Sequence, residues 1–279
     1  MKDAVEKINS ILNHPEQWDF SGAKDLYVGV DVGTYKIFVI VVDEKGQPRA
    51  ANMRRAEVVK SGMIVDYVGA VDVVRELMEE IRERCPVPLE KGATSYPPQT
   101  ESGNINTTRY ILESVDLEVL NVLDEPTAAN LVLRMRDGAI VDVGGGTTGV
   151  AVIEGGNVVY SNDEPTGGVH LSLVLAGALK VSYEEAEEIK ISRESKEILP
   201  IIRPVIDKVS SITGAFLEPY RDIERICLVG GSCELDGFTE IVGRNLGLTA
   251  FRPVAPQVIT PFGIALSCLQ GNGNGSEGT

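Results

Sequence analysis

Two segments of this 279-residue chain place an aspartate, glycines and threonines at the end of an apolar run. The first is Asp31-Val32-Gly33-Thr34-Tyr35-Lys36. The second is Asp142-Val143-Gly144-Gly145-Gly146-Thr147-Thr148. Glycine lets a backbone approach a ligand closely and take positive φ, so such loops can aim several N–H groups at phosphate oxygens. Thr34, Thr147 and Thr148 add hydroxyl donors. Two facing carboxylates, Asp31 and Asp142, suit a hydrated Mg²⁺ that bridges β- and γ-phosphates. Lys36 can neutralise a phosphate or point away along its strand. The plainer reading of both aspartates is a turn cap. Their recurrence at equivalent places argues against accident.

Three further segments carry chemistry. Glu125 opens Glu125-Pro126-Thr127-Ala128-Ala129 and is the candidate to orient or deprotonate an attacking water. It also reads as a first-turn helix carboxylate favoured by the dipole, with Pro126 at N1, and the two readings are compatible. Gly230-Gly231-Ser232 can pass ribose and adenine over bare backbone, or simply turn the chain. Asp207 and Lys208 read as a solvated helix face or as a flank of adenine, and the acidic stretch 182–196 as an exposed helical face or a partner-binding surface.

The elements that must position these residues follow from apolar period and turn chemistry. A short helix over 1–14, stopped by Pro15, carries Ala4, Val5, Ile8, Ile11 and Leu12 on one face. This helix either covers an apolar patch or serves as a docking peptide for a protein shell. Strands are expected at 27–32, 37–42 and 48–54, a helix at 68–84, a strand at 91–96, a helix at 103–115 and a strand at 118–123. The helix opened by Glu125 comes next. Strands at 138–143, 149–153 and 157–162, helices near 168–180, 183–190 and 198–217, a strand at 226–229 and helices near 236–246 and 262–270 complete the order. A polar, Gly-rich tail at 271–279 reads as disordered.

The most informative pattern is self-similarity at an offset of 111 residues, from Asp31 to Asp142. Val30-Asp31-Val32-Gly33-Thr34 recurs as Val141-Asp142-Val143-Gly144-Gly145, and each copy reaches an acidic turn, at Asp43 and at Glu154. Two related hairpins imply two related lobes facing each other. A literal G-x-G-x-x-G at Gly144, Gly146 and Gly149 fails as a dinucleotide fingerprint, because a strand and a Gly-Gly turn follow it instead of a helix. No Walker loop is present.

On these residues the chain resembles the actin-like ATPase superfamily of actin, sugar kinases and DnaK-type chaperones. Asp31-Val32-Gly33-Thr34 resembles the first phosphate loop and Glu125-Pro126-Thr127-Ala128-Ala129 the first connecting motif. Asp142 to Thr148 resembles the second phosphate loop, Leu228-Val229-Gly230-Gly231-Ser232 the adenosine motif, and Phe262-Gly263-Ile264-Ala265-Leu266 the second connecting helix. E-P-T-A-A with D-V-G-G-G-T-T points to the DnaK-like branch. Length, the segment 61–66 and the early helix make the whole chain resemble a chaperone-like family of ethanolamine-utilisation proteins.

The resemblance implies an α/β, two-lobed actin-like ATPase (duplicated ribonuclease H-like) fold with an interlobe nucleotide cleft. The expected divisions are an N-terminal helix and linker at 1–20, lobe I at 21–132 plus 262–270, and lobe II at 133–261. It further implies a Mg-ATP-binding protein, a slow ATPase if active. Its partner would be ethanolamine ammonia-lyase or the microcompartment that houses it. A DnaK-type peptide-binding domain is not expected after the last helix. The rival readings are a non-hydrolysing nucleotide-gated scaffold, a small-molecule kinase and a filament-forming actin relative.

Composition bounds these readings. With 43 % hydrophobic and 24 % charged residues, the chain has ample material for a packed core, which excludes a disordered or disulfide-stapled scaffold. The net charge of −15 disfavours nucleic-acid and membrane partners and requires a local device to hold an anion. Two histidines are too few for a His-rich metal site, and four cysteines without a C-x-x-C pair read as reduced and mostly buried. With neither a long apolar run nor a signal-peptide core, the expected location is the cytosol, alone or with a microcompartment.

Overall fold

The computed structural model describes residues 1–60, 62–98, 100, 102–192 and 194–270. The tail at 271–279 lies outside the described residues, as do Ser61 of the 61–66 segment and Arg193 of the acidic stretch. The chain divides into two compact units, Met1–Arg134 joined by the segment from Val258 onward, and Met135–Gln257.

The first unit opens with α1 (Lys2–Ile11), which buries Val5, Ile8 and Ile11. It stops earlier than 14 because Asn13 turns into the left-handed region at φ 58°. Apolar β-branched runs then give β1 (Leu26–Val32) and β2 (Lys36–Asp43), followed by β3 (Pro48–Arg55). Two short pieces, β4 (Val59–Lys60) and β5 (Met63–Ile64), form a separate two-stranded pair. Next come α2 (Tyr67–Arg82), β6 (Lys91–Tyr96), α3 (Ser102–Glu113), β7 (Glu118–Asp124) and α4 (Glu125–Leu133). The sheet order is β3-β2-β1-β6-β7, antiparallel across the β1–β2–β3 meander and parallel from β1 through β6 to β7.

Val28 and Val30 of β1 join the core with Val74, Leu77 and Met78 of α2 and Ile111 and Leu112 of α3. Gly29 and Asp31 therefore project from the opposite face. The N-terminal segment closes the outer edge of β3. Leu12 bridges Ala51, Asn13 N–H donates to Ala51 O at 3.1 Å, and Trp18 Nε1 donates to Ile11 O at 3.0 Å. Covering an edge strand removes a template for unwanted pairing.

The second unit repeats the plan. Its elements are β8 (Gly138–Val143), β9 (Thr148–Glu154), β10 (Asn157–Glu164), α5 (Gly168–Leu179), α6 (Tyr183–Ser192), α7 (Ser195–Leu217), β11 (Arg225–Val229), α8 (Phe238–Leu246) and β12 (Thr249–Phe251). The order β10-β9-β8-β11-β12 copies that of the first sheet, with the same antiparallel and parallel pairs. Helix α7 begins before the expected 198 and carries Pro200 and Pro204 inside it. Its buried face of Ile198, Ile202, Val205, Ile206 and Val209 holds the helix where proline removes backbone donors.

The chain then returns to the first unit as α9 (Ile259–Ser267), which starts three residues before the expected 262. Two glycines let it approach closely. A Cβ on Gly29 would lie 2.8 Å from Ala265 Cα, and one on Gly263 would overlap the Ala128 carbonyl of α4. The two expected connecting motifs thus meet backbone to backbone inside this unit.

Candidate functional site

In each unit the expected loop joins the first two strands, and the two loops close alike. Gly33 N–H donates to Lys36 O at 3.1 Å, and Gly144 N–H donates to Thr147 O at 3.1 Å. Val32 pairs with Ile37 and Asp31 with Phe38, while Val143 pairs with Thr148 and Asp142 with Gly149. Every one of these positions recurs at the offset of 111, so the repeat extends from residue type to strand register. Asp31 and Asp142 stand at the carboxyl ends of β1 and β8, where open α/β sheets bind ligands.

The second loop is fixed from behind. Gly168 N–H donates to Gly144 O at 2.9 Å and Val169 N–H to Gly145 O at 2.8 Å, so the first turn of α5 spends its donors on the loop's carbonyls. Ser232 Oγ donates to the same Gly144 O at 3.1 Å. Gly167 is needed here, since its Cβ would lie 2.7 Å from Gly144 O and 2.9 Å from Gly145 O. In a trans peptide the N–H points opposite to the C=O of the same plane. With the carbonyls of 144 and 145 turned to α5, the amides of Gly145 and Gly146 point away from it as adjacent donors. Two adjacent amides so turned can take an anion, and neither glycine needs positive φ to present them.

Gly230 follows β11 at φ 90°, and a Cβ there would overlap Asp142 Oδ1 and the Val143 carbonyl. Gly231 and Ser232 lie in a 3-10 turn, Gly231–Glu234, that occupies the place where the sequence suggests only a loop before a helix at 236. The neighbouring Cys233 thiol is pushed well up, by burial first and by the Asp142 charge second.

The threonines separate. Thr148 is fully buried and its Oγ1 donates a hydrogen bond to Thr166 O at 2.7 Å, which ties β9 to the turn before α5. Thr34 and Thr147 stay partly exposed within their loops. Lys36 leans along β2 past the loop. Its Nζ stands 6.0 Å from the Phe38 ring centre, on the sheet face that carries Asp31. Glu125 is the first residue of α4, and Asp124 caps that helix by accepting from Thr127 N at 3.0 Å and Thr127 Oγ1 at 2.7 Å. Asp207 and Lys208 fall on α7, where Asp207 accepts from Arg203 and Asn245. In the first unit the β6–β7 register sets Tyr96 opposite Asp124, so Tyr96 borders the same carboxyl edge as Asp31 and Glu125. Burial and then the Asp124 charge push its hydroxyl up.

Several residues escaped sequence reasoning. Asp163 of β10 pairs with Gly149, which pairs with Asp142, so both carboxylates flank a glycine on one face of the sheet. A Cβ on Gly149 would meet nothing within 4 Å, leaving open space between them. Burial, then Glu164, pushes the Asp163 carboxyl up. The acidic stretch also departs from a uniformly solvated face. Glu187 is buried, Lys190 donates to it at 2.6 Å, and Lys190 also reaches Ser172 Oγ at 2.8 Å and Gly168 O at 3.1 Å. A lone lysine three residues after glutamate in an otherwise acidic helix was the available signal.

Fold and loops together define an actin-like ATPase fold. The Spiroplasma citri protein MreB 5 bound to AMPPNP shares that fold at 15 % identity, with a TM-score of 0.70 over 86 % of this chain and 95 % of that one. The chain belongs to the ethanolamine utilisation protein EutJ family. It is 40 % identical to EutJ of Escherichia coli K12 over 244 residues, covering 87 % of this chain and 86 % of the relative. The crystal structure of EutJ from Carboxydothermus hydrogenoformans matches with a TM-score of 0.89 and 40 % identity, over 95 % of this chain and 97 % of that one. Residues 133–263 also match the family described as Type IV pilus assembly protein PilM. Among the described residues no helix is long and apolar enough to cross a membrane.

Proposed function

We propose that this chain binds Mg-ATP through its two hairpin loops and acts as an assembly or reactivation factor in ethanolamine utilisation. The observation that carries this reading is the second loop, whose Gly145 and Gly146 amides are turned outward together by the bonds of Gly144 and Gly145 to α5. The AMPPNP in the MreB 5 structure supports it by likeness of fold.

In this reading Gly33, Thr34, Lys36, Gly144, Gly145, Gly146 and Thr147 take phosphate oxygens, and Gly230, Gly231 and Ser232 line the nucleoside. Thr148 and Ser232 also brace the second loop. Asp31 and Asp142 hold the cation. Among the described residues no three or more His, Cys, Asp or Glu side chains gather into a metal site. Two carboxylates alone fit a hard ion that keeps most of its water and takes its other oxygens from phosphate. The ion would neutralise the triphosphate in a protein of charge −15. Glu125 orients the water, and slow hydrolysis times a conformational cycle. The client is ethanolamine ammonia-lyase or its microcompartment, and the site of action is the cytoplasm or that compartment.

Mg-ATP binding and ADP release, measured on purified protein with and without ethanolamine ammonia-lyase, test this. Turnover stimulated by the lyase is expected. Asp31→Ala or Asp142→Ala should weaken binding, while Glu125→Ala should spare binding and slow hydrolysis by about 10²–10⁴-fold. Binding without turnover would make the protein a nucleotide-gated scaffold, and no binding would overturn the reading.

A further inference from the structure

One cation beside the first loop has no place in the scheme above. In the β2–β3 register Lys36 stands directly opposite Arg55, at the end of the sheet where the loop turns. Directly opposed residues share a face, and like charges so placed repel. That face is the one that carries Asp31, because Lys36 and Phe38 alternate along β2 and Phe38 pairs with Asp31. A protein of charge −15 has carboxylates to spare for such a cation. Arg49 meets Asp43, Arg54 meets Glu76 and Glu80, Arg75 meets Asp72 and Arg252 meets Asp236. Arg55 is exposed and carries no carboxylate partner among the described residues. Its guanidinium instead lies 5.4 Å from the ring centre of Tyr35, a residue of the loop itself. The backbone fixes this stacking, because Ala56 N–H donates to Tyr35 O at 3.1 Å directly after Arg55.

We propose that Arg55, held by the Tyr35 ring and paired with Lys36, is a direct contact for the phosphate tail of the bound nucleotide. A dianionic phosphoryl group between two opposed cations turns their repulsion into attraction. Stacking leaves the planar guanidinium fork free to bind two phosphate oxygens at once, which an ammonium cannot do. The inference rests on the nucleotide reading and adds a residue to it.

Calorimetry on the full chain with Mg²⁺ and a non-hydrolysable ATP analogue, ADP and adenosine separates the two. Arg55→Ala should weaken the analogue about tenfold or more, weaken ADP, and leave adenosine unchanged. Arg55→Lys should recover only part of the loss, and Tyr35→Leu should weaken the analogue in the same direction. Arg75→Ala removes the same charge from α2 and should change nothing beyond about twofold. Analogue affinity within twofold of wild type in Arg55→Ala overturns the proposal and leaves the nucleotide reading standing. An equal loss in Arg75→Ala, or an equal loss for adenosine, also overturns it. If the wild-type chain binds none of the three ligands, the nucleotide reading falls and Arg55 falls with it.

Discussion

Gly230 lies under the carboxylate of Asp142, with no room between them for a methyl group. The backbone at 230 also takes φ 90°, which L side chains rarely adopt. One position therefore joins the end of β11 to the aspartate of the second loop.

Gly230→Ala is accordingly expected to destabilise the protein by about 2 kcal/mol, from strained backbone and overlap together. At this chain size that corresponds to a fall in Tm of about 3–4 °C. Thermal unfolding checks the loss, and nucleotide binding on the folded fraction should fall as well, since Asp142 must move. A variant as stable as wild type would show that the 230 turn relaxes easily.

Thr147 and Thr148 are neighbours with opposite expected behaviour. Thr148→Val removes a buried donor and leaves the Thr166 carbonyl without it, at a cost of about 1–3 kcal/mol. Thr147→Val should leave stability within about 0.5 kcal/mol and weaken nucleotide binding. Chemical denaturation and titration on the same two variants separate the roles.

Asp43 gives a pH signature. Burial pushes its carboxyl up, but the Gln47 N–H, the Arg49 guanidinium and the Lys45 N–H outweigh that and hold it below the ordinary value. The folded pKa is depressed, so the stabilisation is present above the ordinary carboxylate pKa and is lost as pH falls through the lowered one. Asp43→Asn should cost about 3 kcal/mol at neutral pH, because Arg49 loses its buried partner. Denaturant unfolding from pH 7 down to about pH 3 should show that difference narrowing below about pH 4.

The thiols offer an inexpensive check of the core. Cys227 and Cys268 are buried, which pushes both thiols up to about 12, and Cys233 is pushed well above the ordinary value. Cys85 is half-buried and bonds to Val87 O. A thiol reagent at pH 8 should find Cys85 alone, and slowly, in the native protein, and four thiols after unfolding. Fast reaction of a second thiol in the native state would contradict the packing around β11 and α9.

What the sequence made legible follows from what repeats in it. Asp31 and Asp142 follow long apolar runs and precede others, so the two hairpins and their loops could be inferred from spacing, while the shared register appears only in the structure. β12 spans three residues and β4 and β5 two each, too short for any hydrophobic period to register. The burial of Glu187 was hidden because it depends on Ser172 and Lys190, which only the packing of α6 on α5 brings together. Arg55 lies one residue beyond the strand expected at 48–54. Its significance lies in the carboxylate it lacks among the described residues, which no local pattern records. Thr148 was misjudged for the opposite reason. It matches the loop motif by type, but strand alternation turns it inward.

The unequal continuity of the two units sets an order of assembly on the ribosome. Residues 135–257 contain a whole sheet and its helices in one stretch, so that part can complete itself as soon as it has emerged. The first sheet is made earlier but stays unfinished. The face with Gly29 and the Ala128 carbonyl waits for α9, more than a hundred residues later in synthesis. The half of the protein translated first is therefore the half that matures last, and until then its bare surface is what a nascent-chain chaperone would meet.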